Sequence, residues 1–237
     1  MSAAPRPPVH PAGFLRRYLA WALDMVVPAL AALALCGGRI ADGMQRAAAA
    51  LDALARSLTQ AMVDMLVQGS SPFDLARAWR ADPVQREAIA ALSDAITAII
   101  VVPLLLASLL ALLWFAAFEA SPRQATPGKR ALGLRVEDAR GARIGFARAA
   151  LRHLAGTLSW LTLNLGHLLA ALPPARRALH DRIAGTRVLQ GLPSGSKLPA
   201  WSLVWLWVQV LLAIVAAAGL FLATQSAVQR AFDAMLL

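Results

Sequence analysis

Asp24 stands inside "RRYLAWALDMVVPALAALAL", residues 16–35, a nearly continuous apolar run that opens on Arg16 and Arg17. A carboxylate at the centre of a membrane-spanning helix costs about 2.5–3.5 kcal/mol on insertion scales, so its presence there needs a use. With a helix starting at Phe14, a rise of about 1.5 Å per residue sets Asp24 roughly 15 Å deep, near the midplane of a bilayer about 30 Å thick. Arg17 lies on nearly the same face but roughly 10 Å away along the axis, too far for a direct ion pair. Pro28 has no N–H to offer the carbonyl four residues back, which belongs to Asp24. A free carbonyl beside a carboxylate supplies hard oxygen donors, the chemistry of a proton or small-cation site. The other reading is that Asp24 pairs with a base and fixes helix packing. Arg17 of a neighbouring copy, Lys129 and Arg182 are its candidate partners.

Two further stretches carry charge in a pattern. In "ASPRQATPGKRALGLRV", residues 120–136, the Gly128-Lys129 pair has the look of a phosphate loop, but Arg123 and Arg130 occupy the places of its first glycine and its hydroxyl residue. An ATPase is excluded. What remains is a Pro-Gly turn that presents Lys129 and Arg130 at a surface, suited to lipid headgroups or to Asp24 or Asp181. In "ALHDRIAGTRVL", residues 178–189, His180, Asp181 and Arg182 are consecutive and point in different directions on a helix. No metal triad follows, and the expected role is a helix terminus fixed by charge pairs. No Ser or Cys stands with a His and a carboxylate at a suggestive spacing, so the chain is not expected to be an enzyme, and no cofactor is implied.

These residues must be positioned by helices in a membrane. Of 237 residues, 59% are hydrophobic and only 15% charged, which is far from a soluble average. The net charge of +10 is segregated: residues 1–17 carry +3 and 119–153 carry +5 (eight bases, three acids), while 173–200 carry +4 and 38–95 carry −1. Basic segments beside apolar spans follow the positive-inside rule and attract anionic lipid, which argues against nucleic acid as a partner. The lone Cys36 follows Leu35 rather than a small residue, so a lipoprotein cleavage site is not expected and the first span stays uncleaved.

The expected fold class is an α-helical integral membrane protein with three to four transmembrane helices, a small cytoplasmic β-hairpin and an amphipathic extracytoplasmic helical insert. The first span, within 1–38, should end at the helix-breaking Gly37 and Gly38. In the insert 39–95, Leu51, Leu54, Leu58, Met62 and Met65 fall at helical spacing. "GSSPFD" breaks it, and a second helix from Pro83 should run into span two, about 97–118. The alternation of Leu132, Leu134 and Val136 with Ile144 and Phe146 predicts a β-hairpin turned at Gly141. Residues 154–172 carry Thr157, Thr162, Asn164, Gly166 and His167, poor for a lipid-facing helix. A re-entrant segment keeps every basic stretch on one side, and a full span does not. Residues 191–237 hold a linker and the last span, 201–223.

Arg17 with Asp24, "TPGKRALGLRVEDARGARIGFARAALRHL" and "LHDRIAGT" occur in order along the chain, and together they resemble the RDD family of bacterial membrane proteins. The family is named for one arginine and two aspartates, which the resemblance places at Arg17, Asp24 and Asp181. It covers residues 13–36 and about 97–190, leaving the insert and the last span outside. It implies a bacterial inner-membrane protein with a cytoplasmic N-terminus, and transport of ions or small solutes. The leading expectation is therefore exchange of a cation or solute, proton-coupled through Asp24 with Arg17 and Asp181, around a helix kinked at Pro28. Three or four spans per copy call for a homo-oligomer or a partner membrane protein. The competing expectation is a non-transporting scaffold or assembly factor, meeting anionic headgroups or partner subunits through Lys129, Arg130 and Arg182.

Overall fold

Apolar runs too long for a soluble core set the architecture. The computed structural model describes residues 10–191 and 196–236. Among them, three helices are long and apolar enough to cross a membrane, within Phe14–Gln68, Pro83–Ala120 and Ala200–Ser226. Helix α1 (Phe14–Gln68) is 55 residues long and contains Pro28 without interruption. It also passes straight through Gly37 and Gly38, where the sequence predicts an end. Each glycine costs only about 1 kcal/mol against alanine in a helix, and alanine-rich turns on both sides outweigh it. The amphipathic stretch 51–65 is thus the far end of the first helix and not a separate element.

The chain divides into two units. Residues 32–106 and those from Leu211 onward form one. In it, Ser71 caps α2 (Pro72–Ala81) through a capping box with Asp74. Asp82 caps α3 (Pro83–Ile96), accepting the Val84 N–H at 2.9 Å, and also accepts the Ser57 hydroxyl. A π-helical turn (Thr97–Val101) leads into α4 (Val102–Ala120), so the helix entered at Pro83 does run on into the second apolar span. The final helix α9 (Ala200–Leu236) continues beyond the apolar stretch seen in the sequence.

The other unit, residues up to Ala31 with 107–210, holds the small sheet. Its strands β1 (His10–Pro11), β2 (Leu134–Asp138) and β3 (Thr186–Gln190) lie in the order β1-β3-β2, antiparallel throughout, with Val136 opposite Val188. The expected hairpin between 132–136 and 144–146 does not form. Asp138 Oδ1 accepts the N–H groups of Arg140 and Ala142, each at 2.8 Å, closing a tight turn with Gly141 at φ +83°. The chain then drops Ile144 into the core and starts α6 (Phe146–Leu161) at Gly145, leaving β2 to pair with β3. The core joins Leu19 and Ala20 of α1 and Ala116 of α4 to Leu132, Leu134, Val136, Ile144, Ala149 and Val188.

The ambiguous stretch 154–172 is no straight helix. After α5 (Pro127–Ala131), β2 and α6, the backbone takes positive φ at Leu163 and Asn164. It resumes as α7 (Leu165–Leu168) and a 3₁₀ turn (Leu169–Ala171), with α8 (Leu179–Ile183) following. Gly166 packs back on α6, where a Cβ would meet Ser159 Oγ at 2.4 Å.

Because Ile144 is 1% exposed within the core, Ile144→Ala should cost about 2–5 kcal/mol. Thermal melting in detergent checks this, with the exposed Arg140→Ala as a neutral control.

Candidate functional site

The site is a chain of buried charges, and Arg152 of α6 is its centre. Its Nη1 donates to both Glu119 oxygens, at 2.7 and 2.9 Å, and its Nε donates to Asp181 Oδ1 at 3.1 Å. Glu119 closes the last turn of α4 and is fully buried. It also takes Lys129 Nζ at 2.6 Å, and that ammonium sits 4.6 Å from the Phe115 ring centroid. Asp181 has a second partner in Arg17 Nη1, at 2.5 Å. Its Oδ2 accepts the Ala178 N–H at 3.0 Å, which caps α8. Arg17 is held in turn by the carbonyls of Ala12, at 3.1 Å, and Arg176.

Asp24 makes a separate tie. Its Oδ1 accepts the Gly128 N–H at 2.8 Å and its Oδ2 accepts the Thr126 hydroxyl. Thr126 is the N-cap of α5, and Pro127 opens that helix, where a missing N–H costs nothing. The approach is so close that a Cβ on Gly128 would lie 2.4 Å from the Ala20 carbonyl oxygen and 2.9 Å from the Asp24 carboxyl. Only glycine fits.

A cavity of about 490 Å³ opens beside the cluster. Aromatic residues (Phe14, Tyr18, Trp21, Phe115, Trp160) share its lining with Arg17, Lys129, Arg152, His153, His167 and His180. Among the described residues, no group of three or more His, Cys, Asp or Glu is placed to hold a metal.

The structure unites Arg17 and Asp181 but not Arg17 and Asp24. Asp24 turns instead to the Thr-Pro-Gly turn, a partner its neighbours in sequence do not reveal. Lys129, expected at the surface, is 6% exposed because Glu119 and Phe115 draw it inward. Arg130 and Arg182 are exposed, as a surface role requires. Pro28 is buried within α1. Glu119, Arg152 and Thr126 hold these contacts, and nothing in the local sequence singles out Arg152 or Thr126. Glu119 left one signal, since it is the sole acid between residues 95 and 136.

Burial and electrostatics pull these groups in definite directions. Burial pushes the Lys129 pKa down and Arg152 pushes it further, against Glu119. For Asp181, burial alone would raise the value, but Arg152 and Arg17 hold it well below the usual carboxylate range. His180 is lowered to about 3, first by burial and then by Arg152, against Asp181. His153 is lowered to about 4 by burial, with Lys129 and Arg152 adding to it against Glu119.

Two outcomes follow from this arrangement. Glu119→Gln leaves Lys129 and Arg152 buried without their shared countercharge, and should cost about 3–5 kcal/mol, read as a lower melting temperature in detergent. On pH, an unfolded histidine takes up a proton near 6.5, while folded His180 and His153 resist until about 3 and 4. Protons therefore favour the unfolded chain, and stability should fall as pH drops from about 6.5 toward 4. Asp181 adds a further loss only below the ordinary carboxylate range, because its folded form holds no proton there. Melting curves at stepped pH, with His153→Gln showing a shallower fall, check the sign.

A model of the RDD family matches residues 11–185, which takes in Arg17, Asp24, Glu119, Arg152 and Asp181. The family match also takes in residues 39–95, which the resemblance in the sequence leaves outside. "Uncharacterized protein YxaI" of Bacillus subtilis (strain 168) is 31% identical over 86 residues. That match covers 36% of this chain and 56% of the relative, so the chain spans little more than half the relative's length. No solved structure matches. The family match extends over well more than half of the chain and coincides with three long apolar helices and a buried Arg17–Asp181 pair: this is a helical membrane protein, and it belongs to the RDD family.

Proposed function

We propose that this chain is a multi-pass protein of a bacterial cytoplasmic membrane that holds a small solute in the cavity beside Arg152 and exchanges it across the bilayer. Its N-terminus lies in the cytoplasm, by the positive-inside argument from the basic segments 119–153 and 173–200. The observation that carries the reading is a buried cluster of alternating charges whose three bases form one wall of an open cavity. Replacing buried ion pairs by apolar side chains of equal volume is often neutral or stabilising. A cluster of this size beside empty space therefore supports work on a polar ligand better than it supports stability alone. The exposed Arg130 and Arg182 meet anionic headgroups at the cytoplasmic face. A passage built from three spanning helices calls for a homo-oligomer or a partner membrane protein. In this reading Asp24 is the pin that seats α5.

Cation–proton exchange through Asp24 is the second reading. It is favoured by the Asp24 carbonyl, which Pro28 leaves without a helical donor beside a buried carboxylate. Against it, both carboxylate oxygens already accept hydrogen bonds, from Gly128 and Thr126.

Proton flux in proteoliposomes separates the two, driven first by sodium, potassium and lithium and then by a panel of small carboxylates, amines and sugars. Asp24→Asn replaces one acceptor by a donor and should cost about 1–3 kcal/mol, lowering membrane abundance while solute-driven flux per folded molecule persists. Cation-driven flux that vanishes in folded Asp24→Asn would transfer the function to the second reading. Flux with no substrate at all would sink both.

A further inference from the structure

Resting on the cavity as the ligand site, we propose that its occupant is an amphiphilic oxyanion: an apolar or aromatic body with one carboxylate or phosphate head, seated at His180. Arg152 Nη2 lies 3.3 Å from His180 Nε2, and a guanidinium has only donors, so Nε2 is the acceptor. Asp181 Oδ1 stands 3.5 Å from the same nitrogen, a longer contact with its better donor already in Arg152 Nε. The imidazole is neutral, so its hydrogen is on Nδ1. That Nδ1 is buried and has no hydrogen-bond partner.

An unmet buried donor costs free energy that a ligand oxygen would recover. Its position is also known. A Cβ on Gly156 would lie 3.9 Å from His180 Nδ1 and 3.8 Å from His167 Nε2, so the donor faces the cavity across the bare backbone of α6. The charged lining agrees. Arg17, Lys129 and Arg152 contribute donors alone, while the carboxylates of Glu119 and Asp181 are turned into the cluster and are not part of the cavity wall. A cation would find repulsion from three bases, and the acceptors in the lining, on Tyr18, Thr157 and Asn164, are neutral and set no charge against an anion. The aromatic lining of Phe14, Tyr18, Trp21 and Trp160 asks for an apolar body, and about 490 Å³ falls within the roughly 300–1,000 Å³ of small-molecule sites. Such a ligand has two sources, a fatty-acid or lysophospholipid head from the membrane and a soluble aromatic acid.

Binding of dodecanoate and of 1-naphthoate to the full chain in nanodiscs, with 1-dodecanol as the uncharged match, tests the proposal by calorimetry. Dodecanoate alone points to the membrane source and naphthoate alone to the soluble one, and either supports the oxyanion. His180→Phe removes the donor and should weaken acid binding by about tenfold with dodecanol unchanged. Gly156→Leu keeps every charge and fills the space, so it should abolish binding of acid and alcohol alike, with folding of both variants checked by melting. Dodecanol binding as tightly as dodecanoate, and lost in Gly156→Leu, would overturn the oxyanion while the cavity reading stands. Binding of acid and alcohol unaffected by Gly156→Leu, or no binding of either acid, would overturn the oxyanion together with the cavity.

Discussion

Burying the Arg152 guanidinium is the constraint on which the folded unit depends. That group keeps its proton at any working pH, so it cannot be buried neutral and must be met by anions. Glu119 and Asp181 meet it, from positions 33 residues before and 29 residues after. One side chain of α6 thereby fixes the end of α4 against the start of α8. Each carboxylate has capacity left over, and the surplus recruits Lys129 from α5 and Arg17 from α1. The result alternates in sign from Arg17 to Lys129, so every charge inside the chain has two opposite neighbours. Deleting either carboxylate leaves the terminal base it holds, Lys129 or Arg17, uncompensated at a site with little water to solvate it.

Asp24 solves a different problem with neutral donors. Gly128 and Thr126 give it an N–H and an O–H, so the carboxylate is matched without a cation. The same contact supplies α5 with an anion at its N-terminal end, which helix geometry favours. Arg17 and Asp24 share a face of α1, yet they hold different parts of the polar unit: one grips the α8 cap, the other the Thr-Pro-Gly turn. Helix α1 is thus a spine with two pins. The absence of a Cβ at Gly128 lets the second pin close, since any side chain there would strike the α1 backbone.

What the sequence disclosed follows from the range of each interaction. The apolar runs, the start of α3 at Pro83 and the turn at Gly141 are local matters of composition and backbone preference, and they are legible residue by residue. The strand pairing was not. Leu134 and Val136 announce a strand, but Ile144 and Phe146 mimic its partner by alternation alone, while the true partner Thr186–Gln190 lies some fifty residues on, Glu137 facing Arg187. Helix α1 was cut short because Gly37 and Gly38 were weighed as breakers without counting the alanines around them. At the site, Asp24 stands out because it sits in an apolar run, while Arg17 and Asp181 join it through the resemblance to the family. Glu119 and Arg152 sit where charge is ordinary, at a helix end and on an amphipathic helix. Their importance exists only in three dimensions.

That difference bears on what the cavity can hold. A cluster in which every charge is paired need not present a balanced face. Here the carboxylates are inside, each turned toward two bases, and the bases form the boundary between cluster and cavity. Pairing each carboxylate with two bases makes the burial tolerable, and the one base in excess adds to an arrangement that leaves donors outward and acceptors inward. Beside them His180 is forced by Arg152 into the tautomer that adds another donor. A wall with this polarity discriminates by hydrogen-bond direction as well as by charge. It repels cations, and it receives an oxygen-rich anion whose apolar remainder the surrounding aromatic rings can cover.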